Sequence, residues 1–235
     1  MRPIVTFGGY AVDKIINIAI DGPSGSGKST LASAVAKHYG YIYIDTGALY
    51  RTVGLYIQRQ GFASDDVENI IASLPHIDID MRLENGRGVV TLDGVPVGDE
   101  IRTPKSSMYA SDVSKIPEVR AFLLNLQRDI AKRNSTVMDG RDIGTVILPD
   151  AQVKLFLVAD DTVRAKRRYA ELLEKGQKVT EEEVLADMRR RDKNDSGREV
   201  APAVAAEDAV LFDNSALTPE ETFLKAKEII DGVLA

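Results

Sequence analysis

Short apolar runs alternate with longer stretches in which apolar residues recur at helical spacing. The short runs predict strands that start near Ile15 and cover residues 41–44, 136–138, 153–158 and 210–212. The longer stretches predict helices over residues 28–37, 65–73, 104–115, 117–133, 160–175, 180–195 and 219–234, and one that follows a turn at Asp45-Thr46-Gly47 and continues to Gln60. Buried strands separated by helices are typical of an α/β fold with a parallel sheet and helices on both faces.

Two segments depart from this alternation. Residues 77–97 form short alternating runs broken by Asn85-Gly86 and Asp93-Gly94, which are hairpin-turn dipeptides. We therefore expect a small antiparallel insertion there. Residues 1–14 have no periodicity and contain two adjacent glycines, which predicts a loosely held N-terminal extension.

Composition narrows the class of protein. The 235 residues carry a net charge of −6, which argues against a general nucleic-acid-binding surface, so any site for a polyanion must be built from locally gathered arginines. The absence of cysteine excludes disulfides and thiolate-bound metals. Both histidines, His38 and His76, are expected to be solvated surface residues rather than ligands.

The chain also lacks features of membrane or secreted proteins. No apolar run approaches the roughly 20 residues that span a bilayer, and residues 1–14 have no signal-peptide core. We therefore expect a cytoplasmic protein without a membrane partner.

The first predicted strand runs directly into the glycine-rich loop GPSGSGKST. Its Gly22, Gly27, Lys28 and Ser29 occupy the fixed positions of G-x-x-x-x-G-K-[ST], followed by a predicted helix. Glycines let successive amides turn toward a phosphate, the lysine adds a mobile positive charge, and the serine hydroxyl can bind Mg²⁺. The residues expected to bind ATP here are Gly22, Pro23, Ser24, Gly25, Ser26, Gly27, Lys28, Ser29 and Thr30. The alternative is an ordinary turn between a strand and a helix.

Polar clusters follow three predicted strands at the point where each ends. They are Asp21-Gly22, Asp45-Thr46 and Asp139-Gly140-Arg141-Asp142. Ligands of an open parallel sheet bind outside the carboxyl ends of its strands, so the three clusters are predicted to share one rim. For each single aspartate, the alternative is a helix cap or turn residue.

Several motifs together carry a family resemblance. GPSGSGKST, YIDTGALYR, EIRT, VMDGRDIGTVILPDA and RRRDKNDSGREVAP are similar to the bacterial cytidylate kinase family, within the nucleoside monophosphate kinases. The resemblance covers the chain from Ile15 to its C-terminus; Thr46 stands where some members have serine. It implies one kinase domain over residues 15–235 with a five-stranded parallel core, a monophosphate-binding region over about 46–115 that includes 77–97, and a helical lid over about 161–201.

The same resemblance implies an activity. We expect the transfer of a phosphoryl group from ATP to CMP, and also to dCMP, with Mg²⁺ as cofactor and a monomeric enzyme. The alternatives that stay open are a UMP/CMP kinase or another small-metabolite kinase. A GTPase-type switch would share the glycine loop, but no N-K-x-D string is present. A nucleic-acid-binding ATPase conflicts with the acidic charge.

Transfer to a monophosphate needs cations rather than a general base, because the attacking phosphate oxygen is already ionised near pH 7. The catalytic candidates are Lys28, Arg141, Arg191 and Arg198. The family pattern implies that Arg51, Arg141 and Arg198 face the acceptor phosphate, that Ser111, Arg191 and Asp195 contact the ribose, and that Arg164 and Arg168 close over the donor phosphates. Asp139, which ends a predicted strand near the loop, is expected to hold Mg²⁺ with Ser29. Arg82, Arg87 and Arg133 are expected to be solvated surface residues.

Two further predictions concern geometry around these candidates. Arg191, Asp195 and Arg198 would share one helix face if the helix continued past Gly197. Cytosine presents an amino donor beside two acceptors, so Asp142 is predicted to accept from the amino group and Arg120 to donate, while Thr46 adds a hydroxyl contact. The alternative role of Asp142 is to cap residues 143–147.

Overall fold

The computed structural model describes residues 14–84, 87–174 and 176–235. The predictions that concern residues 1–13, the Asn85-Gly86 turn, the Arg87 side chain and Lys175 lie outside these described parts. In the remainder, the predicted order of strands and helices is confirmed.

The described ranges contain eight strands and eight α-helices. The strands are β1 (Asn17–Asp21), β2 (Ile42–Asp45), β3 (Ile79–Glu84), β4 (Arg87–Leu92), β5 (Val95–Pro96), β6 (Thr136–Gly140), β7 (Val153–Val158) and β8 (Val210–Asp213). The helices are α1 (Lys28–Tyr39), α2 (Thr46–Arg59), α3 (Val67–Ser73), α4 (Pro104–Val113), α5 (Pro117–Ala131), α6 (Asp161–Glu174), α7 (Glu181–Ser196) and α8 (Pro219–Leu234).

The centre of the fold is a five-stranded parallel sheet, as predicted, and its strand order is β2-β6-β1-β7-β8. Strand β1 is buried between β6 and β7, which explains its nearly continuous apolar sequence. In the register, Asp45 lies opposite Asp139, and Asp21 lies opposite Gly140. The three polar clusters therefore do reach the same edge of the sheet.

The insertion is antiparallel, as predicted, and it extends the main sheet. Strands β3, β4 and β5 pair antiparallel, and β4 adds to β2 in parallel at Tyr43 and Arg87. The β4–β5 turn has φ of 53° at Asp93 and 76° at Gly94. Two positive φ values are typical of a type I′ turn, which the Asp-Gly dipeptide favours.

Two local predictions need correction, and one short element was not predicted. Thr46 and Gly47 were expected in a turn but form the first turn of α2, because the Asp45 side chain accepts a hydrogen bond from Ala48 N and caps the helix. The 117–133 helix ends at Ala131, so Arg133 lies beyond it, exposed as expected. Residues Ile143–Ile147 form a π-helical turn that periodicity does not signal in so short a segment.

Apolar side chains fill both faces of the sheet. One cluster joins the sheet to α2, α4 and α5, and a second joins it to α1 and α8. The α6–α7 pair has its own small cluster of Ala165, Leu172, Val184 and Met188. Arg82, His38 and His76 are exposed, as expected. Within the described ranges, no helix has the length and apolar character needed to cross a bilayer.

The packing of α2 on α4 yields a paired test. A β-carbon at Gly54 would lie 2.8 Å from the β-carbon of Tyr109, whereas one at Gly232 in α8 would meet no atom within 4 Å. We expect Gly54→Ala to lower the free energy of unfolding by about 1–2 kcal/mol, because two packed helices must separate. Gly232→Ala should raise it by about 0.5–1 kcal/mol through reduced backbone entropy of the unfolded chain. Urea denaturation of both variants measures this, and equal effects would contradict the close α2–α4 contact.

Candidate functional site

A cavity of about 940 Å³ opens at the carboxyl ends of the parallel strands. Of the residues selected from the sequence, it is lined by Ser24, Gly25, Gly27, Lys28, Ser29, Thr30, Thr46, Arg51, Ser111, Arg120, Asp139, Arg141, Asp142, Arg168, Arg191, Asp195 and Arg198. Gly22, Pro23, Ser26 and Arg164 do not line it. The structure therefore brings most of the predicted residues, which come from distant parts of the chain, around one space.

The glycine loop begins where β1 ends. Gly22 has φ of 145°, and a β-carbon there would collide with the carbonyl oxygen of Leu157, so only glycine fits. Asp21 does not line the cavity, unlike the other two polar clusters. Its buried carboxylate accepts hydrogen bonds from Ile143 N at 2.9 Å and Gly144 N at 2.8 Å. Burial raises the pKa of Asp21 to about 6. Its role is to hold the π-helical turn against the loop.

Lys28 is buried at the start of α1. Its Nζ donates to Pro23 O at 2.6 Å and lies 3.5 Å from Ser26 Oγ. Burial, and then the positive charge of Arg141, lowers the pKa of Lys28 to about 7. The ammonium group thus folds back on its own loop in a place where a negative ligand would strengthen its charged form.

The oxygen pair expected to hold Mg²⁺ is present. Ser29 Oγ donates to Asp139 Oδ2 at 2.7 Å, and the Tyr43 hydroxyl donates to Asp139 Oδ1 at 2.9 Å. Burial, and then repulsion from Asp45, raises the pKa of Asp139 to about 6. No group of three or more acidic, histidine or cysteine ligands occurs among the described residues. The donor set fits Mg²⁺, which commonly takes one or two protein oxygens and completes its shell with phosphate and water.

On the other side of the cavity, two arginines share one carboxylate. Asp195 accepts from Arg141 Nε at 2.7 Å and also from Arg198 Nη2, which in addition donates to Ser114 Oγ at 2.8 Å. Despite burial, these two arginines lower the pKa of Asp195. Helix α7 ends at Ser196, so the condition for a single helical face through Arg198 is not met. Arg198 reaches Asp195 from the following loop instead.

Several polar atoms that face this region lack partners. Within the described residues, these buried atoms are Nε of Arg51, Nε of Arg191, Nε of Arg198 and Oγ of Ser111. Burial, and then the charge of Arg141, lowers the pKa of Arg191 to about 10. Unmatched donors and charge that a negative ligand would stabilise are the properties of an anion site.

The pair expected to read the base is also formed. Arg120 donates to Asp142 in a buried ion pair, and Arg120 lies 5.7 Å from the ring centre of Tyr50. The Asp142 side chain makes no cap bond to Ile143–Ile147, so the capping alternative is not what the structure shows. Thr46 Oγ1 donates to Asp139 O at 2.7 Å, which leaves its oxygen free only to accept.

The two lid arginines differ. Arg168 lines the cavity and donates to Glu171 at 2.7 Å. Arg164 is buried and donates to protein groups: Ser24 O at 2.7 Å, Ala159 O at 3.1 Å, Asp161, and Asp192 at 2.6 Å. It therefore attaches α6 to the glycine loop in this structure, and it is the predicted donor-phosphate residue that the geometry fits least.

Sequence reasoning missed several residues at this site, among them Asn214, Arg167, Tyr43 and Asp192. Asn214, which follows β8, donates to Ser26 O at 2.9 Å, and Arg167 donates to Asn214 O at 2.8 Å; both line the cavity. Asn214 lies just beyond the predicted strand 210–212, so the reasoning applied to the other strand ends could have found it. Tyr43 and Asp192 carry no such signal, because their importance comes from partners far away in the chain.

Buried Lys28 makes a prediction about stability without nucleotide. Because its folded pKa lies below the unfolded value of 10.5, the unfolded chain binds the proton more tightly between pH 7 and 10.5, and the wild type gains stability as pH rises through that range. Lys28→Met should therefore be more stable than the wild type at pH 7, by on the order of 1–3 kcal/mol, with a smaller difference at pH 9.5. Urea unfolding at both pH values checks this.

The matched control for that comparison is Lys37→Met. Lys37 is exposed near the far end of α1, so its removal should change stability by less than about 0.5 kcal/mol at either pH. A Lys28→Met difference that stays constant or grows with pH would contradict a desolvated ammonium in the loop.

Comparison with known proteins agrees with this arrangement. A sequence model of the Cytidylate kinase family matches residues 18–231. A curated cytidylate kinase from Caldicellulosiruptor saccharolyticus is 50% identical over 221 residues, which cover 94% of this chain and 98% of the relative. One from Thermosipho melanesiensis is 49% identical over 213 residues, covering 91% and 95%. A solved structure of an uncharacterized protein from Eubacterium ventriosum shares the fold, with a TM-score of 0.53 at 18% identity over 93% of this chain and 99% of that one. The chain belongs to the cytidylate kinase family.

Proposed function

We propose that this protein phosphorylates CMP with ATP, yielding ADP and CDP, and that it accepts dCMP as well. The observation that carries the proposal is that a single cavity joins the glycine loop to the buried Arg120–Asp142 pair. The loop provides a place for a donor triphosphate, and the pair offers an acceptor and a donor to the edge of cytosine. The family membership supports the same activity.

The donor end of the cavity is the glycine loop with its following helix. Among the described residues, the amides of Gly25 and Gly27 make no hydrogen bond to protein, and α1 directs its N-terminus at the same space. Lys28 would exchange Pro23 O for a phosphate oxygen, which replaces a neutral acceptor with a charged one. Arg168 approaches from α6 and adds a further positive charge.

Magnesium would be held by Ser29 Oγ and Asp139, with the remaining positions filled by phosphate oxygens and water. When bound, the ion neutralises charge that develops on the transferred group. Tyr43 orients the Asp139 carboxylate from the opposite side. These contacts are made by side chains of α1, β2 and β6, which pack together at the edge of the sheet.

The acceptor end is rich in arginine, and the reaction requires no general base there. Arg51, Arg141 and Arg198 surround the place of the acceptor phosphate, whose oxygen attacks without prior deprotonation near pH 7. Ser111, Arg191 and Asp195 lie where they can contact ribose hydroxyls. The arginines of this group bring two anions together and stabilise the charge that spreads over the phosphoryl group.

The wider organisation belongs to the same proposal. Residues 15–235 act as one kinase domain in which about 46–115, including 77–97, bind the monophosphate, and about 161–201 form a lid. The enzyme works as a monomer in the cytoplasm, on small nucleotides rather than nucleic acid. In support, α6 and α7 form a separately packed pair that reaches the glycine loop.

A coupled assay with ATP tests the activity against CMP, dCMP, UMP, AMP and shikimate. We expect the highest kcat/KM with CMP, and Lys28→Met should lower kcat at least 100-fold while circular dichroism stays unchanged, because Lys28 meets charge that develops during transfer. Preference for UMP or shikimate would favour the alternative kinases. Absence of ADP release with every acceptor would overturn the proposal, and near-normal kcat in the variant would show that the loop is not the donor site.

Replacement of Asp142 tests how the base is chosen. Uracil would turn its O4 toward the carboxylate and oppose two acceptors, a mismatch of on the order of 1–3 kcal/mol in a desolvated site. The amide introduced by Asp142→Asn can donate to that oxygen. We therefore expect kcat/KM for CMP to fall much more than kcat/KM for UMP, which narrows the preference for CMP over UMP. Steady-state kinetics with both acceptors measures the ratio.

The control for base choice is Asp112→Asn. Asp112 is a partly buried carboxylate that accepts from Ser64 and Lys115 away from the cavity, so its variant should keep the wild-type CMP-to-UMP ratio. If Asp142→Asn lost thermal stability and lost both activities in equal proportion, Asp142 would have a folding role only.

A further inference from the structure

The lid helices are attached to the glycine loop by a carboxylate that the reaction chemistry does not use. On α7, Asp192 Oδ1 accepts from Ser24 N at 2.9 Å, and its Oδ2 accepts from Arg164 Nη1 at 2.6 Å. The same Arg164 nitrogen donates to Ser24 O at 2.7 Å. One residue of the loop is therefore held on both its amide and its carbonyl side by residues of α6 and α7.

Apolar packing adjoins these hydrogen bonds. A β-carbon on Gly25 would lie 2.7 Å from Met188 Cε and 3.2 Å from Arg164 O. Met188 precedes Asp192 by one helical turn, so both side chains leave α7 on the side that faces the loop. The helices can approach Gly25 this closely because glycine has no side chain.

The attachment leaves other amides of the glycine loop free. It uses Ser24, which itself borders the cavity, whereas the amides of Gly25 and Gly27 have no protein partner in the described parts of the chain. Asp192 therefore leaves these two amides available to a phosphate. The contact is compatible with a bound nucleotide.

The position of Asp192 links the two ends of the cavity. It directly follows Arg191 and precedes Asp195 by three residues on α7, and Asp195 holds Arg141 and Arg198. Fixing α7 at the glycine loop thus sets the distance between the donor loop and the acceptor arginines. A displacement of about 1 Å between such groups can reduce a rate by about 100-fold.

We propose that Asp192 is a positioning residue for phosphoryl transfer, which acts by holding Ser24 and Arg164 and so keeps α7, with Arg191 and Asp195, in register with the glycine loop. The proposal rests on the proposed kinase function. Asp192 itself touches neither nucleotide. Its removal still leaves Arg164 three partners, namely Asp161, Ser24 O and Ala159 O, so the buried guanidinium keeps a counter-charge.

The test compares Asp192→Asn and Asp192→Glu with the wild type. Asparagine can still accept from Ser24 N but has no charge for Arg164, whereas glutamate retains both oxygens on a longer side chain. We expect Asp192→Asn to lower kcat with CMP 10- to 100-fold while the Kd for ADP, measured by calorimetry without CMP, changes less than threefold. Asp192→Glu should recover part of the kcat.

A second readout follows the lid without any acceptor. Arg164 is buried against the glycine loop, so the rate of trypsin cleavage after Arg164 reports on how often the α6–α7 pair leaves the loop. Nucleotide-free Asp192→Asn should be cut at least fivefold faster than the wild type. The control is Asp187→Asn, which removes an exposed carboxylate that pairs with Arg190 on the same helix and should match the wild type in both measurements.

The outcomes separate the possible roles. A kcat for Asp192→Asn within twofold of the wild type would overturn the proposal. So would parallel losses of Tm, ADP binding and kcat that Asp192→Glu does not reverse, because they indicate general packing. If the wild type failed to phosphorylate CMP, the kinase proposal would fail on its own, and the cleavage rates would still decide whether Asp192 holds the lid.

Discussion

The cavity depends on carboxylates that hold its arginines in place before a phosphate arrives. Asp195 lies between Arg141 and Arg198, and Arg51 and Arg120 each have an aspartate partner of their own. Guanidinium groups gathered in a partly buried space repel one another, and each loses hydration there. Interleaved carboxylates offset both costs. They explain how a chain with a net charge of −6 maintains a strongly cationic site.

The same contacts prepare the site for its reaction. Because the arginine side chains are already oriented, little rearrangement is needed when charge develops on the transferred group. The unmatched Nε atoms of Arg191 and Arg198, together with Ser111 Oγ, mark positions where a ligand would complete the hydrogen bonding. For Lys28 and Asp139, in contrast, the surrounding protein disfavours the charged form. Each is buried with its pKa displaced against the charged form, a cost in stability that a bound ligand of opposite charge would offset.

The parallel sheet explains why these groups meet. Its strands end at one edge, and the chain passes that edge after β1, β2, β6 and β8, each time with a polar residue. Three of these four places were predictable from strand patterns and turn chemistry. The fourth, Asn214, was missed only because the last strand was not included in that reasoning. A position at a strand end does not by itself give the direction of the side chain. The side chain of Asp21 turns inward and holds a π-helical turn.

The sequence by itself determined the α/β class, the five parallel strands, the antiparallel insertion, the glycine loop and about half of the residues of the cavity wall. Those features follow from local periodicity, from backbone requirements within a few residues and from contiguous motifs. Only the tertiary structure decided that Arg164 attaches the lid helices to the loop, that Tyr43 orients Asp139, and that Asp192 binds Ser24. These contacts join residues separated by 140, 96 and 168 positions. A side chain's direction at such distances depends on how helices and sheet pack, and no pattern within one segment encodes it.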